Sequence, residues 1–544
     1  MAATADIFLE CVIHKILCYL SYGQASRMRI LSKTWLQAWS TLPNLEFLVE
    51  YFEETKIVDA IMETYKENNI PIDKFGFSNC SKFNRRHQVF PLIDKWLDTA
   101  LQNGARDLVY VDLLYSVRLY PFPISKVLAA NSLRELVLKG CNLMHVSSSS
   151  GFANCHSLRK LSLSYIILSK NLLQTLLNSC PFIVSFNLDH CSGLVKIELM
   201  NLQKIKSVSV SINRNQHVKI QAPTLEHLFY NGYLSGNLVI VGCQNLKSLE
   251  LSYVKICIGF LHNLISRSQS LEVLKIQYCV GIRQIETSNL VSLEYIGYQI
   301  PELKIAKASS QLKHSKIVLH GNNNLDAAWF SKLRKLLSNS APWSQVLLCF
   351  PEYNDIKIKD LQQHHGVASP QMDVLNVNIT RSYGECPTFV DALLWSCNPR
   401  RLNLSSTVEM ITCFVSRLMY MKNLSHSSSE RSNHWHSQLK EIKVFDGKNQ
   451  ELQLENHPSV HDKDRPKEGI RYGHMVSWEF IEEALKGYGF PVSFIGIVMA
   501  CVTSIKANCD NFGYFEGKRR WRTITGDKCS PILYINELMH YNLE

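Results

Sequence analysis

From residue 133 the chain repeats one short apolar pattern, L-x-x-L-x-L, and this repeat restricts what the chain can fold into. It reads Leu133-Leu136-Leu138, Leu158-Leu161-Leu163, Ile183-Phe186-Leu188 and Ile205-Val208-Val210, and begins again at Leu225, Leu246, Leu271 and Leu293. Successive starts lie 25, 25, 22, 20, 21, 25 and 22 residues apart. The last two apolar positions of each copy are two residues apart, the period of a strand with one buried face. A unit this short cannot cover its own apolar face. Neighbouring units must stack, strand beside strand, into one continuous core.

Intervals of 20 to 29 residues with this pattern are those of leucine-rich repeats. Each interval is expected to return through a helix-like segment. Leu172, Leu173, Leu176 and Leu177 form one such apolar face, and Phe260, Leu261, Leu264 and Ile265 another. Cys141, Cys191 and Cys279 each stand eight residues after a repeat start, where a small apolar side chain fills the turn behind the strand, so these thiols are expected in the core. Later copies are wider spaced: Met372-Leu375-Val377, then Leu402 and Leu404, then Leu439-Ile442-Val444. The array is expected to run over residues 131–446, with Ser425 to Ser432 as a loop. Residues 447–469, polar and holding Pro458 and Pro466, read as a linker.

Ahead of the repeats, residues 1–47 read as a compact helical unit. Leu9, Val12, Ile13, Ile16, Leu17 and Leu20 fall at helical spacing and make one apolar stripe. A break at Ser21-Tyr22-Gly23 leads to a second short helix over Gln24 to Leu31. Ser32 can cap a third that carries Trp35 and Trp39 on one face. Residues 48–130 form a connector with the first repeat-like elements. Pro91 opens a helix that ends near Asn103-Gly104, and a strand follows over Leu108 to Leu113.

Bulk properties narrow the function. A net charge of +11 over 544 residues is a mild excess rather than a nucleic-acid footprint. The 17 cysteines include no Cys-x-x-Cys pair, so the common zinc and thioredoxin-like signatures are missing, and free thiols in a reducing cytoplasm or nucleus are expected. The first residues lack the order of a secretory signal. The longest uncharged apolar run, Phe490 to Ile505, is shorter than a membrane-spanning helix requires. His364-His365 and His434-x-His436 have no cysteine or carboxylate at a ligand spacing and read as loop histidines. No phosphate-binding, nucleophile-elbow or zinc-protease motif occurs. Neither a catalytic site nor a metal or cofactor is expected.

Two stretches resemble plant F-box proteins with leucine-rich repeats. One comprises His14 to Leu20, Ile30-Leu31-Ser32-Lys33-Thr34-Trp35 and Trp39 to Leu45; the other is Ser437 to Val444. The resemblance implies an α/β fold in which a three-helix F-box precedes a leucine-rich-repeat solenoid of parallel strands with helical or irregular returns. It further implies docking on a Skp-type adaptor of a cullin-RING ubiquitin ligase, with an unknown protein substrate held by the repeats and no membrane or nucleic-acid partner. The docking residues are then Leu9, Ile13, Ile16, Leu17, Leu20, Leu31, Trp35 and Trp39. The family opens its box with Leu-Pro, whereas Ile7-Phe8 stands here, which removes a preset helix start. The alternative is a repeat-based binding scaffold without a ligase role.

Residues 470–544 resemble a different family, the reverse transcriptases of retrotransposons. The similarity lies in Val476 to Phe480, Gly487 to Pro491, Met499 to Thr503 and Gly526 to Pro531. Polymerase chemistry needs paired carboxylates on two metal ions, and no Asp-Asp dipeptide occurs in the chain. The resemblance implies a small, α-rich, inert remnant, and the basic run Lys518 to Arg522 reads as a solvated loop within it.

Overall fold

The computed structural model describes residues 11–20, 22–80, 88–113, 119–144, 155–200, 202–234, 238–257, 259–286, 289–304, 312–321, 325–338, 345–351, 355–362, 371–380, 386–424, 439–445 and 451–452. Ile7, Phe8, Leu9, the four histidines noted above, the serine loop, the polymerase-like segment and all of the linker except Glu451 and Leu452 lie outside them; those two residues form a short strand where a linker is expected. The chain divides into two units, Phe47–Asn456 and Met1–Glu46 with His457–Glu544.

In the larger unit, strands recur once per repeat and pair in chain order. They run Asn44–Val49, Lys74–Asn79, Asp107–Asp112, Glu135–Lys139, Lys160–Ser164, Ser185–Asp189, Ser207–Ser211, His227–Asn231, Ser248–Ser252, Val273–Gln277, Ser292–Gly297, His314–His320, Gln345–Phe350, Gln371–Ile379, Asn398–Ser405 and Glu441–Phe445. From Lys74–Asn79 onward each of these pairs parallel with the next. The short strand Glu451–Leu452 pairs antiparallel with Val444 and Phe445 of the last of these. The ladder therefore begins before residue 133: strands Asn44–Val49 and Lys74–Asn79 already belong to it, and Phe75 and Phe77 occupy positions held later mostly by aliphatic residues.

The register explains the sequence pattern. One buried column runs Phe75, Leu108, Leu136, Leu161, Phe186, Val208, Leu228, Leu249, Leu274 and Leu293, rung upon rung. A second runs Phe77, Tyr110, Leu138, Leu163, Leu188, Val210, Tyr230, Leu251, Ile276, Tyr295 and Ile317. Every residue of both columns is at most 2% exposed. At about 25 cal/mol per Å², burial of these side chains is the dominant favourable contribution to the stack. The leading residue of a copy, such as Leu133, Leu158 and Leu246, is also buried, in the turn before its strand; the copy expected to start at Leu293 in fact starts at Leu290, because Leu293 lies within its strand beside Leu274.

The expectation of a helical return in every interval is corrected. Helices Lys170–Ser179 and Phe260–Arg267 occupy two of the 25-residue intervals. Intervals of 20 to 22 residues return instead through short strands. Lys196–Leu199, His217–Gln221 and Leu238–Val241 make a separate parallel sheet, and Gln284–Glu286 pairs with Glu302–Lys304. Toward the C-terminal end helices return, at Ala327–Ser338, Pro387–Ser396 and Val408–Leu424. The buried Arg334 ties the first two together, donating to the Trp395 carbonyl at 2.6 Å and lying 4.4 Å from its ring centroid.

In the smaller unit residues 11–18 are helical, followed by helices Tyr22–Met28 and Lys33–Ser40. Ser32 caps the last, accepting from the Trp35 backbone N–H at 3.3 Å.

Candidate functional site

Two regions carry side chains that the packing does not use up. The first is the surface of the three helices. Ile13 and Leu17 are buried, with Ala25, Ala38 and Leu42, at the centre of this small core. Leu20, Trp35 and Trp39 pack partly against it, and Ile16 and Leu31 are half-buried. Trp39 is further fixed by Tyr22, with ring centroids 5.9 Å apart, and by the Arg29 guanidinium 5.1 Å away. Of the residues expected to dock a partner, then, Ile13 and Leu17 hold the unit together from inside. The outward apolar side chains are others: Tyr19 is 80% exposed, Ile30 66% and Leu36 47%. A contiguous stripe of sequence reads as one face, and only packing separates its buried members from its exposed ones.

The second region is the open face of the long sheet and the rim where its strands end. Along the middle of the open face the rungs present Val109, Val137, Ser162, Asn187, Ser209, Phe229, Glu250, Lys275, Glu294 and Lys316 in register. The surface thus passes from apolar through small polar, interrupted by Phe229, to charged. In the charged part, opposite charges meet across neighbouring strands: Lys275 lies 3.5 Å from Glu250 and Lys316 2.9 Å from Glu294. At the other end of the strands Glu226 is shared by Lys206 and Lys247, each at 3.0 Å, which hold its carboxyl down at about 2.

The rim is aromatic. Seven residues after a repeat start stand Gly140, Tyr165, His190, Tyr253 and Tyr278, each with positive φ. For Tyr165, His190, Tyr253 and Tyr278 the angles are 48 to 52°, a conformation L side chains rarely adopt. The ladder imposes it. Each of these residues donates its backbone N–H to a carbonyl at the end of the next rung's strand: Tyr165 to Asp189 at 2.7 Å, His190 to Ser211 at 2.8 Å, Tyr253 to Gln277 at 2.9 Å and Tyr278 to Ile296, the penultimate residue of its strand, at 2.7 Å. The side chains are thereby thrown outward and stacked. Tyr165 and His190 lie 5.3 Å apart and nearly parallel, at 8°; Tyr253 and Tyr278 lie 5.1 Å apart at 16°. Tyr298 and His320 extend the second stack, 5.8 and 5.5 Å from Tyr278, and the Tyr278 hydroxyl meets His320 Nε2 at 3.2 Å. Burial pushes the Tyr278 phenol up and the His320 imidazole down, so both are neutral near pH 7.

Cys141, Cys191 and Cys279 take the core positions expected of them, at 0%, 2% and 5% exposure. The last two also donate backward, Cys191 Sγ to the Leu163 carbonyl at 3.3 Å and Cys279 Sγ to that of Leu251 at 3.4 Å. Among the described residues no group of three or more His, Cys, Asp and Glu side chains is arranged to hold a metal, and no helix is long and apolar enough to cross a membrane. The rim was missed in the sequence, although its signal was there: an aromatic or glycine at a constant offset from the leucine repeat.

A solenoid of parallel strands with mixed helical and extended returns, presenting one open face, defines a leucine-rich-repeat protein. Comparison with known proteins agrees: residues 61–243 match the family described as At1g61320/AtMIF1, LRR domain. The chain is similar to plant F-box proteins of Arabidopsis thaliana. It is 25% identical to the F-box/FBD/LRR-repeat protein At1g13570 over 356 residues, 55% of this chain and 82% of that protein. It is 30% identical to the FBD-associated F-box protein At1g61320 over 168 residues, 30% of this chain and 35% of that protein. To the putative F-box/LRR-repeat protein At3g44810 it is 23% identical over 375 residues, 64% of this chain and 79% of that protein. The domain match and the relatives' names support one family, the plant F-box/FBD/LRR-repeat proteins.

Proposed function

We propose that this chain is a substrate-recognition subunit of an SCF-type ubiquitin ligase, a receptor without catalysis of its own. The observation that carries this reading is the repeat-domain match together with F-box/LRR relatives, one of which is aligned over 82% of its length. The helical unit would tether the chain to a Skp-type adaptor and through it to a cullin-RING ligase, in the cytoplasm or nucleus. The repeats would hold a target protein beside the ubiquitin-charged partner, so that proximity supplies the rate enhancement. Residues 470–544 take no part in this reading and are an inert, polymerase-like remnant.

The exposed Tyr19, Ile30 and Leu36 supply the apolar surface that adaptor docking needs. Co-purification with a Skp-type adaptor tests this. Tyr19→Asp with Ile30→Asp should abolish capture while leaving the far-ultraviolet circular dichroism unchanged. Undiminished capture by that double variant, or no capture by the wild-type chain, would sink the ligase role and leave a repeat-based binding scaffold. Leu17→Glu would be a poor probe, because it places a charge in the helical core.

A further inference from the structure

The second aromatic stack leads into a cleft of about 590 Å³, between the turn that follows strand Ser292–Gly297 and helix Ala327–Ser338. Its size is that of specific binding sites. Tyr298, 58% exposed, forms one wall with Pro301, and Trp329 forms the other. The Trp329 ring is backed by Phe330 and Phe350, with centroids 5.1 and 5.7 Å away, so it offers a rigid face.

Charge around the cleft is net positive, Arg283, Lys332 and Lys335 standing against Asp326 and Glu302. Of the two carboxylates at its margin, Asp326 accepts from the Trp329 backbone N–H at 2.8 Å, and Glu302 is paired with Lys335 at 3.1 Å. Arg283 and Lys332, both exposed and both lining the cleft, have no carboxylate partner among the described residues. A net positive site with two aromatic walls, whose Arg283 and Lys332 have no carboxylate partner among the described residues, favours a ligand with carboxylates and an apolar or aromatic group. The shape of the approach favours an extended chain over a compact small molecule. Tyr253, Tyr278 and Tyr298 continue outward from the cleft one rung at a time, at 5.1 and 5.8 Å, as a narrow aromatic stripe.

We propose that this cleft binds an acidic, extended segment of a partner protein, its carboxylates set against Arg283 and Lys332 and an apolar side chain held between Tyr298 and Trp329. The proposal rests on the receptor reading above and deepens it by naming the class of substrate segment. Because the contact is charge-assisted and exposed at the rim, affinity falls as salt rises.

The test is to pan a phage-displayed random dodecamer library on the immobilised full-length chain and to measure recovered peptides by fluorescence anisotropy. The expected peptides carry several Asp or Glu residues beside an aromatic or aliphatic one. They should lose at least tenfold in affinity for Arg283→Glu with Lys332→Glu and for Tyr298→Ala, and nothing for a control reversal on a return helix, Lys170→Glu. Recovery of peptides without acidic enrichment, or equal affinity for the double reversal, overturns the proposal. Adaptor capture measured on the same proteins separates the two readings. A chain that binds the acidic peptides but no adaptor keeps the cleft and loses the ligase role; one that captures adaptor but selects no acidic peptide loses the cleft alone.

Discussion

Gly281 follows the turn behind strand Val273–Gln277 with φ +90°, and a Cβ there would stand 2.4 Å from the Ile256 carbonyl oxygen of the preceding rung. Gly104 has a similar φ of +87° but nothing within 4 Å. The pair separates strain from collision. Gly104→Ala should lose about 1–2 kcal/mol for the left-handed conformation alone, whereas Gly281→Ala should lose about 3 kcal/mol or more, because main chain must also move. Urea midpoints of the two variants decide it, and equal losses would show that the rungs can part without penalty. The core thiols give a second residue-scale prediction. Burial pushes Cys279 up to about 11 and Cys191 up to about 12, from an ordinary thiol value of about 8.5. At pH 8 both should resist alkylation that reaches the exposed Cys11 and Cys257, as peptide mapping by mass spectrometry would reveal. The sign of the linkage follows. The unfolded thiols ionise above their ordinary value and the folded ones do not, so this part of the stability is complete below about pH 8.5 and declines as pH rises beyond it.

Among elements, repeat length sets the form of the return. Ten residues of helix Lys170–Ser179 and four of strand Lys196–Leu199 cover nearly the same distance, roughly 15 Å and 13 Å, because a helix rises about 1.5 Å per residue and a strand about 3.3 Å. A 25-residue repeat has length to spare for a helix, and one of 20 to 22 residues does not. Helix pairing toward the C-terminal end depends on Arg417, which grips Asp391 with two hydrogen bonds of 2.6 Å, the Asp391 side chain being only 8% exposed. Arg417→Met should lose about 3–5 kcal/mol by stranding that carboxylate, and adding Asp391→Leu should recover much of it. A full double-mutant cycle by thermal denaturation would reveal the coupling, and additive losses would deny it. Much of this architecture could be read from the sequence: the strands from residue 133 to 297 from leucine spacing, the helix opened by Pro91 and the Ser32 cap from helix-start signals. What could not be read was partition. Ile13 and Leu17 look like Ile30 and Leu36 in sequence, yet the first two are core and the others surface, because burial depends on how three helices close around Ala25 and Ala38. The aromatic rim was equally hidden, since a Tyr after a strand acquires meaning only when the next rung fixes its backbone.

At the scale of the whole repeat unit, each rung touches mainly its two neighbours, so stability should behave as a sum of local terms. Leu251→Ala removes a fully buried side chain from the second column and should lose about 2–5 kcal/mol. Hydrogen exchange should rise in His227–Asn231 and Val273–Gln277, the strands on either side, and stay unchanged in Lys74–Asn79 and Asn398–Ser405. A uniform rise would mean that the unit melts as one body. The final pairing matters in another way. A ladder of identical direction is a template that a second molecule could extend, and such growth is the ordinary route from stacked strands to fibres. Here the last of the parallel strands meets Glu451–Leu452 running the opposite way and only two residues long. At Val444 and Phe445 an incoming strand would meet a short, reversed neighbour, a poorer template for growth than a matching parallel edge.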